Sequence, residues 1–161
     1  MALGWIMLAM LWTWFGPSQA FAASDLRLAP SLSFDDDSSP NFPITSADPQ
    51  NASIAADRPT LIFFGTAHCW NTAREAERLV TLYPKYRDRM HFVVVDLKHA
   101  SPAQEALVHR YYQGYIPTLA IFDSKGKTVY DQAGETAAGR GDTRGLEALI
   151  RSALEAPRAA R

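Results

Sequence analysis

The chain has 161 residues, 47% of them hydrophobic and 20% charged, which suits one globular domain with something added and excludes two full domains. Lys and Arg number 16 against 17 Asp and Glu, and the resulting net charge of −1 supplies no general attraction for nucleic acid or an anionic membrane. The single cysteine, Cys69, excludes an internal disulfide, a four-cysteine zinc site and a self-contained Cys-x-x-Cys redox pair.

Residues 1–22 are expected to be an export signal. Met1 to Phe15 is almost wholly apolar, and no charged residue occurs before Asp25. Ala20-Phe21-Ala22 has the small-x-small form of a signal-peptidase site. The apolar run is shorter than the roughly 20 residues that span a bilayer. Left uncleaved, the same segment would be an N-terminal anchor and the one reason for contact with a membrane. The expected location is extracytoplasmic, either periplasmic or secreted.

Residues 23–58 change in character. From Ser24 to Arg58 there are seven Ser, six Asp and four Pro, with an acidic knot at Asp35, Asp36 and Asp37. So polar a stretch offers little apolar surface to offset the entropy of ordering it. It is expected to be a linker or a loosely packed arm. Leu26, Leu28, Leu32, Phe34, Phe42 and Ile44 are the pieces with which it can still touch a domain surface.

Regular patterns occupy residues 59–156. Thr60 to Phe64 is a continuous apolar run between Pro59 and Gly65, which predicts a strand buried on both faces. The helix after it shows Ala73, Ala76, Leu79, Val80 and Tyr83 on one face, and Pro84 is expected to end or kink it. His91 to Asp96 is a second buried strand. Ser101-Pro102-Ala103-Gln104 combines a capping Ser, Pro at the first helical position and Gln three residues on. That helix is expected to stop at Gly114. Pro117 to Phe122 is a third strand, which Asp123-Ser124-Lys125-Gly126 turns into Lys127 to Tyr130 as a hairpin. A last helix opens near Asp142 or Thr143, with a stripe of Leu146, Leu149, Ile150, Ala153 and Leu154. The Arg140-Gly141-Asp142 triplet before it reads as a helix-capping loop. This order predicts an α/β fold with three parallel strands and one antiparallel strand. The result is a mixed four-stranded sheet flanked by helices on both faces.

Phe64-Gly65-Thr66-Ala67-His68-Cys69, leading from a strand into a helix, resembles the active-site entry of the thioredoxin family. So does Gly114-Tyr115-Ile116-Pro117-Thr118-Leu119 before the hairpin, with Gly134 a few residues beyond it. The resemblance covers residues 59–156 and implies a thioredoxin-like fold. It also implies a cis Ile116–Pro117 peptide with Pro117 beside Cys69, and substrate contact through Trp70, Ile116 and Pro117. Two departures stand out. Where the family has Cys-x-x-Cys this chain has Cys69-Trp70-Asn71-Thr72, so Thr72 replaces the resolving thiol. The buried acid that many thioredoxins carry six residues before the first cysteine is Phe63 here.

Cys69 stands at the start of a helix, where free backbone N–H groups and the helix dipole favour an anion. Thr72 is a candidate donor to the thiolate, and His68 adds positive charge when protonated. A thiolate attacks a disulfide, and no second thiol on this chain releases the adduct. The expected function is monothiol thiol–disulfide exchange or thiol capture, with Cys69 and Thr72 as catalytic residues. Its partner would be a protein or a small, glutathione-like disulfide. The alternative is a non-catalytic thioredoxin-fold binding or assembly module, in which Cys69 is a small apolar residue. A third reading has the chain lend one thiol to a partner holding the other. One active-site cysteine leaves open whether the protein is an enzyme. Tyr111, Tyr112 and Tyr115 read as packing residues or as an aromatic rim for a partner. His68, His91, His99 and His109 lack paired metal-ligand spacing, and neither a phosphate-binding loop nor a serine-hydrolase elbow is present. No metal and no cofactor are expected.

Overall fold

The computed structural model describes residues 25–134 and 139–156. The expected export signal lies outside the described residues.

Two short strands lead, β1 (Arg27–Leu28) and β2 (Ile44–Thr45). They are followed by β3 (Thr60–Gly65), α1 (Trp70–Tyr86), β4 (His91–Asp96), α2 (Pro102–Tyr111), β5 (Thr118–Phe122), β6 (Thr128–Ala133) and α3 (Arg144–Glu155). The main sheet has the order β4-β3-β5-β6. β3 runs parallel to β4, whereas the β3–β5 and β5–β6 pairs are antiparallel.

The expectation of three parallel strands is therefore corrected: β5 is reversed. β4 ends beside Gly65 and β5 begins beside Phe64, so α2 and its connections leave and return at one end of the sheet. A parallel β5 would have started at the other end, beside Thr60. The reversal brings Pro117, which precedes Thr118, to the end where β3 delivers the chain into α1.

Every residue of β3 is buried, and alternate side chains feed two cores. Leu61, Phe63, Val94, Leu119 and Ile121 meet Ala76 and Leu79 of α1 and Leu146 and Ile150 of α3. Ile62, Phe64, Val93, Val95, Ala120 and Phe122 pack on Leu107 of α2. Helices thus cover both faces, and the strands read as continuous apolar runs for that reason.

Helix ends differ from the expectation by a few residues. α1 runs through Pro84 to Tyr86. A proline there removes one backbone bond near the helix end, and the burial of Tyr83 and Tyr86 holds the last turn in place. α2 stops at Tyr111 rather than Gly114, because Tyr111 and Tyr112 turn in to pack on Phe122 and Phe64. Its start is the capping box read from the sequence, Ser101 and Gln104 each accepting from the other's backbone N–H.

The polar segment before β3 is packed rather than loose over its described part. β1 and β2 pair antiparallel, Ala29 and Ile44 are buried, and Leu26, Leu28 and Phe42 lie against the α1–α3 core. Ala52 and Ile54 cover the α2 side. Few apolar residues suffice because side-chain to backbone bonds fix the rest. Asn51 Nδ2 donates to Phe92 O at 2.9 Å, and Gln104 Nε2 donates to Asn51 O at 3.1 Å.

Candidate functional site

β3 ends at Gly65, and α1 begins at Trp70 with Cys69 as its N-cap residue. Between them His68 has a left-handed backbone, φ 54°, which costs a non-glycine residue about 1–2 kcal/mol. Its amide donates to Ser39 O at 3.2 Å. Cys69 is extended, its carbonyl accepts from Ala73 N at 3.1 Å, and its free thiol belongs to a half-buried residue.

Thr72 is fully buried, with its methyl group in the hollow left by Gly65. A Cβ at Gly65 would lie 2.5 Å from Thr72 Cγ2, so glycine is what lets α1 approach β3 this closely. Thr72 Oγ1 has no hydrogen-bond partner among the described residues. The expected bond from this hydroxyl to the Cys69 sulfur is thus not formed. Seating the methyl against Gly65 sets the rotamer, and with it the direction of the hydroxyl. Phe63 is also fully buried, 6.2 Å from the ring of Phe42. Aromatic packing fills the position at which many thioredoxins carry an acid.

The Ile116–Pro117 peptide is cis. Pro117 is buried, while Tyr115 and Ile116 are 59% and 40% exposed. The tyrosines divide: Tyr111 and Tyr112 pack inward and Tyr115 projects outward. Gly134 N donates to Pro117 O at 2.8 Å, and Thr118 Oγ1 donates to Tyr115 O at 2.5 Å.

Two features of this end are absent from the sequence reading. Glu75 and Arg78 of α1 are buried and paired at 2.9 Å, and Arg78 Nε donates to Asp142 O at 3.0 Å. Glu75 lies close to Pro117, since a Cβ on Gly134 would be 3.2 Å from Glu75 Cγ and 2.9 Å from Pro117 Cγ. The available signal was the i,i+3 row Cys69, Thr72, Glu75, Arg78, polar along a face that has to meet the sheet. The second feature is the seat of the acidic knot, on the start of α1. Asp37 Oδ1 accepts from Trp70 N at 2.9 Å, at the helix start where an anion is favoured. Arg74 Nε donates to Phe34 O at 2.6 Å and its Nη2 to Asp35 Oδ1 at 2.8 Å, with the guanidinium 4.6 Å over the Trp70 ring. Hydrogen bonds from Ser33 and Ser38 hold the Asp36 carboxyl down at about 2.

Solved structures share this architecture. An uncharacterised thioredoxin-like protein from Clostridium perfringens superposes with a TM-score of 0.50 at 17% identity, over 65% of this chain and 79% of that one. The fold is thioredoxin-like. Thioredoxin from Fasciola hepatica matches at 18% identity over 60% of this chain and 82% of its own, with a TM-score of 0.46. For mitochondrial thioredoxin 3 from Saccharomyces cerevisiae the identity is 18%, the coverage 62% and 82%, and the TM-score 0.47. No family model and no curated protein matches the chain. At these identities the likeness is one of fold. Within this thioredoxin-like fold, Cys69 and Trp70 share one end of the sheet with Pro117, and Tyr115 and Ile116 are exposed beside Pro117.

Proposed function

We propose that the protein is an exported thiol–disulfide exchange protein that works through Cys69 in the monothiol mode. Residues 1–22 serve as the export signal and residues 59–156 as the working domain. The observation that carries the reading is the position of Cys69, half-buried at the N-cap of α1 and at the sheet end shared with Pro117. A thiolate there attacks one sulfur of a partner disulfide. The partner's S–S bond breaks, a new S–S bond forms to Cys69, and the other partner sulfur leaves as a thiolate. A second, external thiolate such as glutathione then attacks the mixed disulfide, takes the captured sulfur and returns Cys69 to its reduced form. Trp70 and Ile116, with Pro117 buried beneath them, line the surface for the partner chain, and a periplasmic or extracellular compartment supplies the disulfides. Thr72, at the resolving position, seats α1 against β3 and offers no thiol.

Incubation of the purified protein with glutathione disulfide, followed by intact mass spectrometry, tests this. The expected product carries one glutathione on Cys69, loses it to dithiothreitol, and does not form with Cys69→Ser. A folded protein that takes up no glutathione at about pH 8, near the ordinary range of cysteine titration, overturns the reading. A second reading, a binding module without exchange, is favoured by the buried packing of Phe63 and Thr72. Partner binding that survives Cys69→Ser would select it.

A further inference from the structure

The backbone N–H groups of the two residues on either side of Cys69 are committed to the segment at residues 33–39. His68 N donates to Ser39 O at 3.2 Å, and Trp70 N donates to Asp37 Oδ1 at 2.9 Å. The segment is closed on itself and fastened from two sides. Ser33 N donates to Ser39 Oγ at 2.8 Å, Ser39 Oγ donates to Ser33 O at 3.2 Å, and Ser39 is buried. From α1, Arg74 holds Phe34 O and Asp35 Oδ1. From the turn before α3, Arg140 lays its guanidinium 3.7 Å over the Phe34 ring and pairs with Glu77 at 3.0 Å.

We propose that residues 33–39 are a latch that keeps Cys69 less reactive until a partner displaces it. The proposal rests on Cys69 being the working thiol. Free N–H groups and the dipole at a helix start stabilise an anion there. In this structure Asp37 is that anion, bonded to the N–H of the residue that follows the thiol. It sets a negative charge near the thiol and satisfies the first N–H of the helix, which leaves less of the helix-start field to favour a thiolate. The Arg74–Asp35 pair is open to solvent at Asp35, and the Arg140–Glu77 pair that accompanies Arg140 at Phe34 is open at Arg140, so each is worth little on its own. Such a segment opens at far lower cost than the whole domain. A partner that competes for Arg74 or for Trp70 frees the helix start beside the thiol in one event.

Alkylation of Cys69 by iodoacetamide, followed on the intact folded protein by mass spectrometry, reads the latch. Asp37→Asn keeps the side-chain shape and removes the charge; its rate should rise by about two- to five-fold, the span of charge effects at helix ends. Arg74→Gln is the second variant. Loss of its positive charge alone would slow a thiolate reaction, whereas release of the segment speeds it, and the proposal requires the faster rate. Native circular dichroism shows that each variant is folded, and the rate in urea gives the ceiling for an open chain. No acceleration in Asp37→Asn overturns the latch. Acceleration there with slowing in Arg74→Gln reduces the effect to charge and overturns it equally. The glutathione assay keeps the two ideas separate. An adduct with unchanged alkylation rates removes the latch alone, and faster alkylation without any adduct removes exchange alone.

Discussion

The amide of Gly134 donates to the carbonyl of Pro117 at 2.8 Å, and the ring of Pro117 occupies the space that a side chain on Gly134 would need. A Cβ there would approach Pro117 Cγ to 2.9 Å and Glu75 Cγ to 3.2 Å. The end of β6, the turn before β5 and the buried face of α1 therefore converge on one missing methyl group.

Gly134→Ala should destabilise the protein by about 1–3 kcal/mol, the usual cost of overpacking where neighbours cannot yield. Neither neighbour is a free side-chain end: one is a proline ring and the other a buried helix residue. Urea denaturation measures the loss. A change within about 0.5 kcal/mol, ordinary for a surface position, would contradict the close packing described.

The Glu75–Arg78 pair predicts a non-additive series. Arg78→Met leaves a buried carboxylate without its cation and should cost about 3–5 kcal/mol. Glu75→Leu combined with Arg78→Met removes both charges together and should recover much of that loss. Equilibrium unfolding of the two single variants and the double variant checks it. A double variant whose loss equals the sum of the two single losses would show that the charges are not coupled.

Ser101→Ala separates stability from thiol chemistry. Ser101 Oγ accepts from Gln104 N at 3.3 Å and donates to Pro49 O at 2.6 Å, so it both caps α2 and ties down the arm far along the chain from Cys69. The substitution should cost about 1 kcal/mol in urea denaturation, the usual value of a lost cap. Alkylation of Cys69 in the folded variant should proceed at the wild-type rate. A changed rate would mean that the arm moves as one piece from Pro49 to Asp37.

Glu147 predicts a pH dependence. Its carboxylate accepts from Lys85 Nζ at 2.5 Å, Tyr86 Oη at 2.7 Å and Arg151 Nη2 at 3.1 Å. These bonds hold its pKa at about 2, down from the ordinary 4.5. The unfolded chain takes up the proton first as the solution is acidified. The stabilisation from Glu147 is therefore complete above about pH 4.5 and disappears as the pH falls toward 2. Thermal melts of wild type and Glu147→Gln should differ at neutral pH and converge across that interval. An offset that stays constant down to about pH 2 would refute the assignment.

What was legible in the sequence follows from the range of each interaction. The capping box at Ser101 and Gln104 is local chemistry within one helical turn, and it appears where expected. The buried runs at Thr60 and His91 declare themselves as strands because both of their faces are covered. Hydrophobic periodicity, however, carries no direction, so the reversal of β5 could not be read from it. Cys69 and Pro117 were legible as spacing, but the antiparallel register that puts them at one end of the sheet was not. The bond from Trp70 N to Asp37 joins residues 33 positions apart and depends on how the arm folds back. An acidic knot in a Ser- and Pro-rich stretch looks the same whether it is solvated or seated on a helix start.

Tyr115 and Ile116 carry the last prediction. They are the exposed large hydrophobic residues among those described, at 59% and 40%, and they sit beside Pro117. On the proposed function, these exposed apolar side chains are contact points for the partner chain. Replacing both by Ala should weaken partner contact by about 1–2 kcal/mol, the scale of a modest interface hot spot. That corresponds to roughly a ten-fold slower capture of a protein disulfide by Cys69. Iodoacetamide touches only the sulfur, so its rate with the same variant should not change. Capture is followed as a mixed disulfide on non-reducing gels, and alkylation by mass spectrometry. Parallel loss in both assays would mean that the substitution perturbs the thiol itself. Loss in neither would show that the partner approaches Cys69 from another side, past Trp70 and the acidic segment instead of past Pro117.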